Sequence, residues 1–266
     1  GLGLFGGIGV LIFAFGFHLA PGTPPVDVLF TILAVIGCAS VLQSAGGLNV
    51  MMRFAEKLLR RHPKHITLLA PITTWSLTVM CGTGHVVYTM FPIIYDIAIK
   101  TGIRPERPMA VASISSQIGI CASPVSVAVV SMVAIMAKAK GLDHPVSLIE
   151  LLAVGMPATF CGMIVAALWS MRRGLDLDKD PEFQAKLKDP AQKEYIYGES
   201  MTLLDKVFPK EAYWATWIFF AAIGVVVLLG AFPDLRPLVG PAGKAKALSM
   251  NLLIQIMMLS AGALML

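Results

Sequence analysis

Two short stretches concentrate residue types that hold a small polar ligand without formal charge. Cys81-Gly82-Thr83-Gly84-His85 offers two glycines, a hydroxyl and an imidazole within five residues. The next apolar tract carries Ser115, Gln117, Ser123, Pro124 and Ser126. Glycine permits left-handed backbone and close approach of a ligand, and Pro124 removes an amide donor and breaks a helix. Both stretches interrupt tracts of 30 residues, Ile66–Tyr95 and Pro108–Ala137, that contain no Lys, Arg, Asp or Glu.

Broken backbone at membrane depth persists only where protein, water or a ligand satisfies its N–H and C=O groups. Paired interrupted helices are the best sequence pointer to a transporter site. The N-terminus of a half-helix presents free N–H groups and a positive dipole end, which suits an anion. The predicted ligand is therefore small, polar and anionic, bound by dipoles and neutral side chains. Structural readings stand beside this one. Gly and Pro often merely kink membrane helices, Ser113, Ser115 and Ser116 could be small residues for close helix packing, and His85 could donate to a backbone carbonyl.

The elements that must position these residues are set by composition. Of 266 residues, 37 are charged (14%) and 56% belong to the apolar set, with 24 glycines besides. A soluble domain carries about 25% charged residues, so two water-covered globules are excluded, and the apolar content excludes disorder. Seventeen of the charges lie within residues 172–211, leaving charge-free tracts long enough to span a bilayer elsewhere. The expected fold is an all-α polytopic membrane protein. Its net charge of +5 reflects basic residues flanking apolar tracts, which set orientation and meet anionic lipid; no nucleic-acid partner is expected.

Charge also selects a topology. Arg53, Lys57, Arg60, Arg61 and Lys64 precede the first interrupted tract, and Lys100, Arg104 and Arg107 follow it. A single crossing would put one basic cluster outside, against the positive-inside rule; a hairpin entering from the cytoplasm and turning at Gly82-Thr83-Gly84 keeps both inside. The first membrane half, 1–171, then comprises spans 1–20 and 26–46, an interfacial helix 48–62, the hairpin 66–99, a broken helix 108–137 and a span 148–171. Within 48–62, Met51, Phe54, Ala55, Leu58 and Leu59 form one apolar helical face. A cytoplasmic loop, 172–211, carries eight basic and nine acidic residues, and 212–266 begins a second half with spans 213–232 and 247–266. Turns are expected at 21–25 and 138–144, the latter external.

The remaining chemistry-bearing residues read as structural. Cys38, Cys81, Cys121 and Cys161 lack metal-ligand spacing and behave as small hydrophobes. His18 reads as an interface residue, His62 and His65 as basic surface, Asp96 and Glu150 as solvated tract ends, and Leu175–Lys188 as a solvated helical face. No base–nucleophile pair or metal cluster suggests an enzyme, and no resident cofactor is expected beyond a coupling cation such as sodium or a proton. Gly1 opens inside one apolar tract and Leu266 closes another, as expected for part of a longer carrier.

The stretches GGLNVMMRFAEKLLRRHPKHITLLAP, CGTGHVVYTMFPIIYDIAIKTGIRPERPMA and ASPVSVAVVSMVA together resemble the Dcu family of anaerobic C4-dicarboxylate transporters. The wording LDLDKDPEFQ, EYIYGESMTLLDK and PDLRPLVG looks like its DcuB-type branch. The resemblance runs over nearly the whole chain. It implies a bacterial inner-membrane antiporter of fumarate, succinate, malate and aspartate, working as a fumarate/succinate exchanger in anaerobic respiration. It also implies an ion-transporter-type fold that pairs a re-entrant hairpin with a discontinuous helix in inverted repeats. By that analogy Gly82, Thr83, Gly84 and His85 form the first hairpin tip and Ser123-Pro124 the companion break. An Asn stands at the His85 position in another branch, so Thr83 is the firmer assignment. Relative to the family, a first span and a C-terminal part with the second hairpin are missing, and with them half the site. A dicarboxylate sensor kinase is a partner that only the resemblance brings in; a homo-oligomer is a further expected partner. The competing reading is a membrane regulatory or co-sensor protein acting through loop 172–211.

Overall fold

The computed structural model describes residues 2–20, 26–136, 146–198, 202–241 and 245–266. The turns expected at 21–25 and 138–144 lie outside the described residues. The first helix, α1 (Leu2–Leu11), continues as a π-helical turn to Gly16, four residues short of the expected end at 20. α2 (Val26–Ser44) and α3 (Gly47–Arg61) meet at Gly46, whose φ of 80° lets the chain turn by 70°. α3 buries Met51, Ala55 and Leu59 of the expected apolar face together with Met52 and Glu56, whereas Phe54 and Leu58 of that face are exposed.

The next four helices form the centre. α4 (Ile66–Cys81) and α5 (Val86–Lys100) are joined by a four-residue turn. At 16 and 15 residues each falls short of the roughly 20 residues that span a bilayer. Their far ends return to one side, because Arg60, just before α4, pairs with Asp96 near the end of α5 at 3.1 Å. α6 (Glu106–Gly119) runs into a 3₁₀ turn at 120–122, an extended break, and α7 (Val127–Met136). The combined run Glu106–Val133 is long and apolar enough to cross a membrane, as are α8 (Leu148–Met171) and α11 (Lys210–Ala231). α9 (Pro181–Lys186) and α10 (Pro190–Tyr197) are short loop helices, and α12 (Met250–Met265) packs on α2 and α11. A two-residue β-ribbon, Leu238–Val239 with Lys246–Ala247, precedes α12.

Small and hydroxylated residues set the close α4–α6 packing. Pro71 removes one backbone donor inside α4. The Thr73 and Thr74 hydroxyls donate to the Ala70 carbonyl, and Thr74 also lies 3.2 Å from the Ala112 carbonyl of α6. One and two turns on, Ser116 and Gly119 of α6 lie against Thr78. Small residues at such spacing bring membrane helices together. α8 joins through Trp75, whose indole N–H donates to Thr159 at 3.2 Å.

The basic clusters of three segments meet at one end of this assembly. Glu56 is fully buried and accepts from Arg60 Nε, Thr202 Oγ1 and the Leu203 amide, each at 2.7 Å. Asp96, expected to be solvated, is only 8% exposed, held between Arg60 and Lys100. Burial works against the Arg60 charge, but the hydrogen bonds and charges of Glu56 and Asp96 hold its guanidinium above the ordinary arginine value. Glu150 stays exposed and closes a capping box with Ser147 at the start of α8.

Leu175–Lys188 is likewise not one solvated helix. Its 3₁₀ turn buries Leu177, whose amide donates to the Gly102 carbonyl, and Asp180 caps α9 while pairing with Arg104. Docking against the α5–α6 turn overrides local helix propensity.

The Glu56 network yields a stability prediction. Glu56→Ala leaves a partly buried guanidinium short of a partner, which costs on the order of 3 kcal/mol. It should lower the melting temperature in detergent by several degrees and speed protease cleavage near residues 202–204. Glu182→Ala, at an exposed position, should change neither. Equal melting curves for the two variants would remove the network from the account.

Candidate functional site

The α4–α5 turn is built to enter the α6–α7 break. Gly82 ends α4 with φ 72°, and its amide donates to the Thr78 carbonyl at 2.8 Å. A Cβ on Gly82 would lie 2.8 Å from the Val125 carbonyl oxygen, and one on Gly84 2.9 Å from the Gln117 side chain. Glycine is required at 82 twice over, by the left-handed backbone and by the approach of another chain segment. The buried Gly84 carbonyl accepts from the Ser116 hydroxyl at 2.8 Å, which is itself 2.7 Å from Thr78 Oγ1. Thr83 Oγ1 accepts from the His85 amide at 3.4 Å, and the exposed His85 ring stacks near Tyr88.

The break opposite is satisfied locally. Ser123 is extended, and its hydroxyl accepts from the Val125 amide at 3.3 Å. Ser126 caps α7 by accepting from the Val129 amide at 3.2 Å. Ser123, Pro124 and Ser126 are buried. Ser115 is also fully buried, with no hydrogen-bond partner for its hydroxyl among the described residues.

Beside the tip lies a cavity of about 350 Å³. Gly82, Thr83 and His85 line it from the turn, Val127 from the first turn of α7, and Ser40 and Gln43 from α2. The N-terminal ends of α5 and α7 therefore border one space, and none of its lining residues is Lys, Arg, Asp or Glu. Of the residues singled out in the sequence, Gly82, Thr83 and His85 reach this lining. Gly84 and Gln117 meet each other, Ser123, Pro124 and Ser126 belong to the break rather than the lining, and Ser115 is buried within α6 away from the lining. Sequence reasoning passed over Ser40 and Gln43. Their signal was two polar residues one helical turn apart near the end of a charge-free tract. It also left Ser116 as a packing residue, whereas its hydroxyl holds the turn.

Substitution at the two kinds of glycine should separate packing at the tip from general helix effects. Gly82→Ala, strained in backbone and in contact with Val125, should cost about 2 kcal/mol or more. Gly37→Ala in α2, where a Cβ meets nothing within 4 Å, should stay within about 1 kcal/mol of the parent. Thermal unfolding of both variants in detergent measures this, and a tolerant Gly82 would show that the tip does not seat in the break.

Comparison with known proteins gives a consistent picture. The family described as anaerobic C4-dicarboxylate membrane transporters matches residues 1–266. The anaerobic C4-dicarboxylate transporter DcuB of Escherichia coli O157:H7 is 54% identical over 263 residues, which is 99% of this chain and 58% of the relative. The C4-dicarboxylate transporter DcuA of Helicobacter pylori J99 is 39% identical over 227 residues, 85% of this chain and 49% of the relative. That of Wolinella succinogenes is 40% identical over 188 residues, 70% and 42%. No solved structure matches the chain. The chain spans a little over half the length of the DcuB relatives it matches. The relatives are transporters rather than enzymes, and with its several long apolar helices the chain is a multi-pass membrane protein that belongs to the anaerobic C4-dicarboxylate transporter family.

Proposed function

We propose that this chain forms the first membrane half, and the start of the second, of a carrier that exchanges C4-dicarboxylates across the bacterial inner membrane. In this reading α4 and α5 are a re-entrant hairpin whose tip holds substrate together with the start of α7. The observation that carries the proposal is the meeting of two helix N-termini at one cavity free of formal charge, whose largely apolar wall carries Ser40, Gln43, Thr83 and His85 as its polar side chains. Free N–H groups and positive dipole ends attract carboxylates, and Thr83, His85, Ser40 and Gln43 add neutral donors. A volume of 350 Å³ lies at the small end of ligand sites, roughly 300–1,000 Å³.

The lack of a lysine or arginine suits an exchanger. A fixed buried cation would have to be desolvated and re-paired whenever substrate leaves, whereas dipoles release a dianion to either side. The remaining portion of the carrier completes the site, as the resemblance to inverted-repeat transporters implies. The convergence of Arg53, Arg60, Arg104, Arg107 and Arg173 with loop 172–211 at one end favours a cytoplasmic position for that end.

Counterflow tests the reading. Proteoliposomes carrying the full-length protein and internal succinate should accumulate labelled fumarate. Thr83→Ala should weaken apparent affinity about tenfold, equivalent to ~1.4 kcal/mol for one lost hydrogen bond. Gln43→Glu, which adds an anion to the cavity wall, should reduce exchange by more than Gln43→Asn does. Normal exchange by both Thr83→Ala and Gln43→Glu would move the site elsewhere.

A further inference from the structure

A groove of about 750 Å³ runs between α6 and α8 on the opposite side of α6 from Ser116 and the hairpin turn. Its trough is apolar, with Ala110 and Ile114 from α6 and Gly162, Val165 and Ala166 from α8. On each helix these residues recur at three- and four-residue steps, so each contributes one continuous stripe. The α8 stripe extends from Gly162 to Arg173, about 16 Å along the helix. Small residues make the depth: a Cβ built on Gly162 meets nothing within 4 Å.

The mouth of the groove is cationic. Arg104, Arg107 and Arg173 line it with Glu106 as its single acid. Arg107 is committed to Asp176 at 2.6 Å and to the carbonyls of Arg173 and Gly174. Arg104 is shared between Glu106 and Asp180, each at 3.3 Å. Arg173 has no carboxylate partner among the described residues; its guanidinium sits 5.7 Å from the centre of the Trp169 ring. The cation left for an incoming anion is therefore that of Arg173, at the C-terminal end of a membrane-length helix and one turn beyond an indole. This is the depth at which tryptophan and snorkelling arginine mark the bilayer interface.

The trough itself is open. Val165 is 66% and Trp169 65% exposed, on a helix whose mean hydropathy suits the hydrocarbon region. Such a surface needs an apolar cover, and the cationic mouth requires that the cover end in an anion. A phospholipid with an anionic headgroup meets both demands, and basic pockets between membrane helices recognise such headgroups. We propose that the α6–α8 groove is a binding site for an anionic phospholipid, its phosphate at Arg173 and an acyl chain along Gly162 and Ala166. The proposal rests on the membrane reading of α6 and α8. It does not depend on the dicarboxylate site.

Native mass spectrometry of the full-length protein, stripped of lipid in detergent and titrated with phosphatidylglycerol or phosphatidylcholine of the same acyl chains, tests it. The parent should retain phosphatidylglycerol at least tenfold more tightly. Arg173→Gln should erase most of that preference. Gly162→Leu, which fills open space without a clash, should reduce retention of both lipids while leaving the melting temperature within a few degrees of the parent. Equal retention of the two lipids by the parent, or an unchanged preference in Arg173→Gln, overturns the proposal. So does efficient cross-linking of Ala166→Cys to another segment of the same polypeptide, because protein would then fill the trough. Exchange by Thr83→Ala is a separate measurement, so failure of the lipid site and failure of the substrate site are distinguishable.

Discussion

Backbone N–H and C=O groups removed from water must find partners, and this chain interrupts two helices within its apolar interior. The interruptions face each other. The Gly84 carbonyl at the α4–α5 turn accepts from the Ser116 hydroxyl at 2.8 Å and from the Val87 amide at 3.5 Å, while the break after Ala122 is closed by the Ser123 and Ser126 hydroxyls on their own following amides. Only glycine at position 82 allows the turn to come within contact of Val125. The α4–α6 interface, with its hydroxyls and small residues, exists to hold these two breaks together. The cavity beside them is what remains when two helices start at one place and no side chain of formal charge fills the space between.

A second constraint acts at the arginine-rich end. A buried carboxylate is costly unless it is paired and hydrogen-bonded, and Glu56 and Asp96 are both buried there. Glu56 solves this by taking three donors, two of them from residues 202 and 203. The loop of mixed charge is thereby fastened to α3, and Asp176 and Asp180 fasten it again to the α5–α6 turn. The two ends of the molecule thus use opposite chemistry. One carries charges in excess and neutralises them pairwise; the cavity beside the α4–α5 turn has none in its lining.

Much of this was legible in the residues. Tract lengths without charge and the Gly-Thr-Gly and Ser-Pro interruptions each correspond to a single-residue or single-helix property; of the expected apolar face of 48–62, Met51, Ala55 and Leu59 are buried while Phe54 and Leu58 are exposed. The misses share a cause. Asp96 and Leu177 were read from their place at tract ends and in a charged run, where solvent is the ordinary neighbour. Both are buried because a distant segment covers them, the end of α3 through Arg60 in one case and the Gly102 turn in the other. Ser40 and Gln43 look like ordinary span-end residues until α2 is placed beside the α4–α5 turn.

The sequence by itself determined the solvent and the breaks. Hydropathy, the distribution of 37 charges and the backbone preferences of glycine and proline are local quantities, and they require apolar helices interrupted at two known places. Tertiary structure alone decided which residues meet there. Thr83 and His85 line a cavity and Ser115, Ser123 and Ser126 do not, because the wall of that space is made where α2 and the α4–α5 turn pack against the start of α7. Those segments are far apart along the chain, and no local pattern encodes their contact.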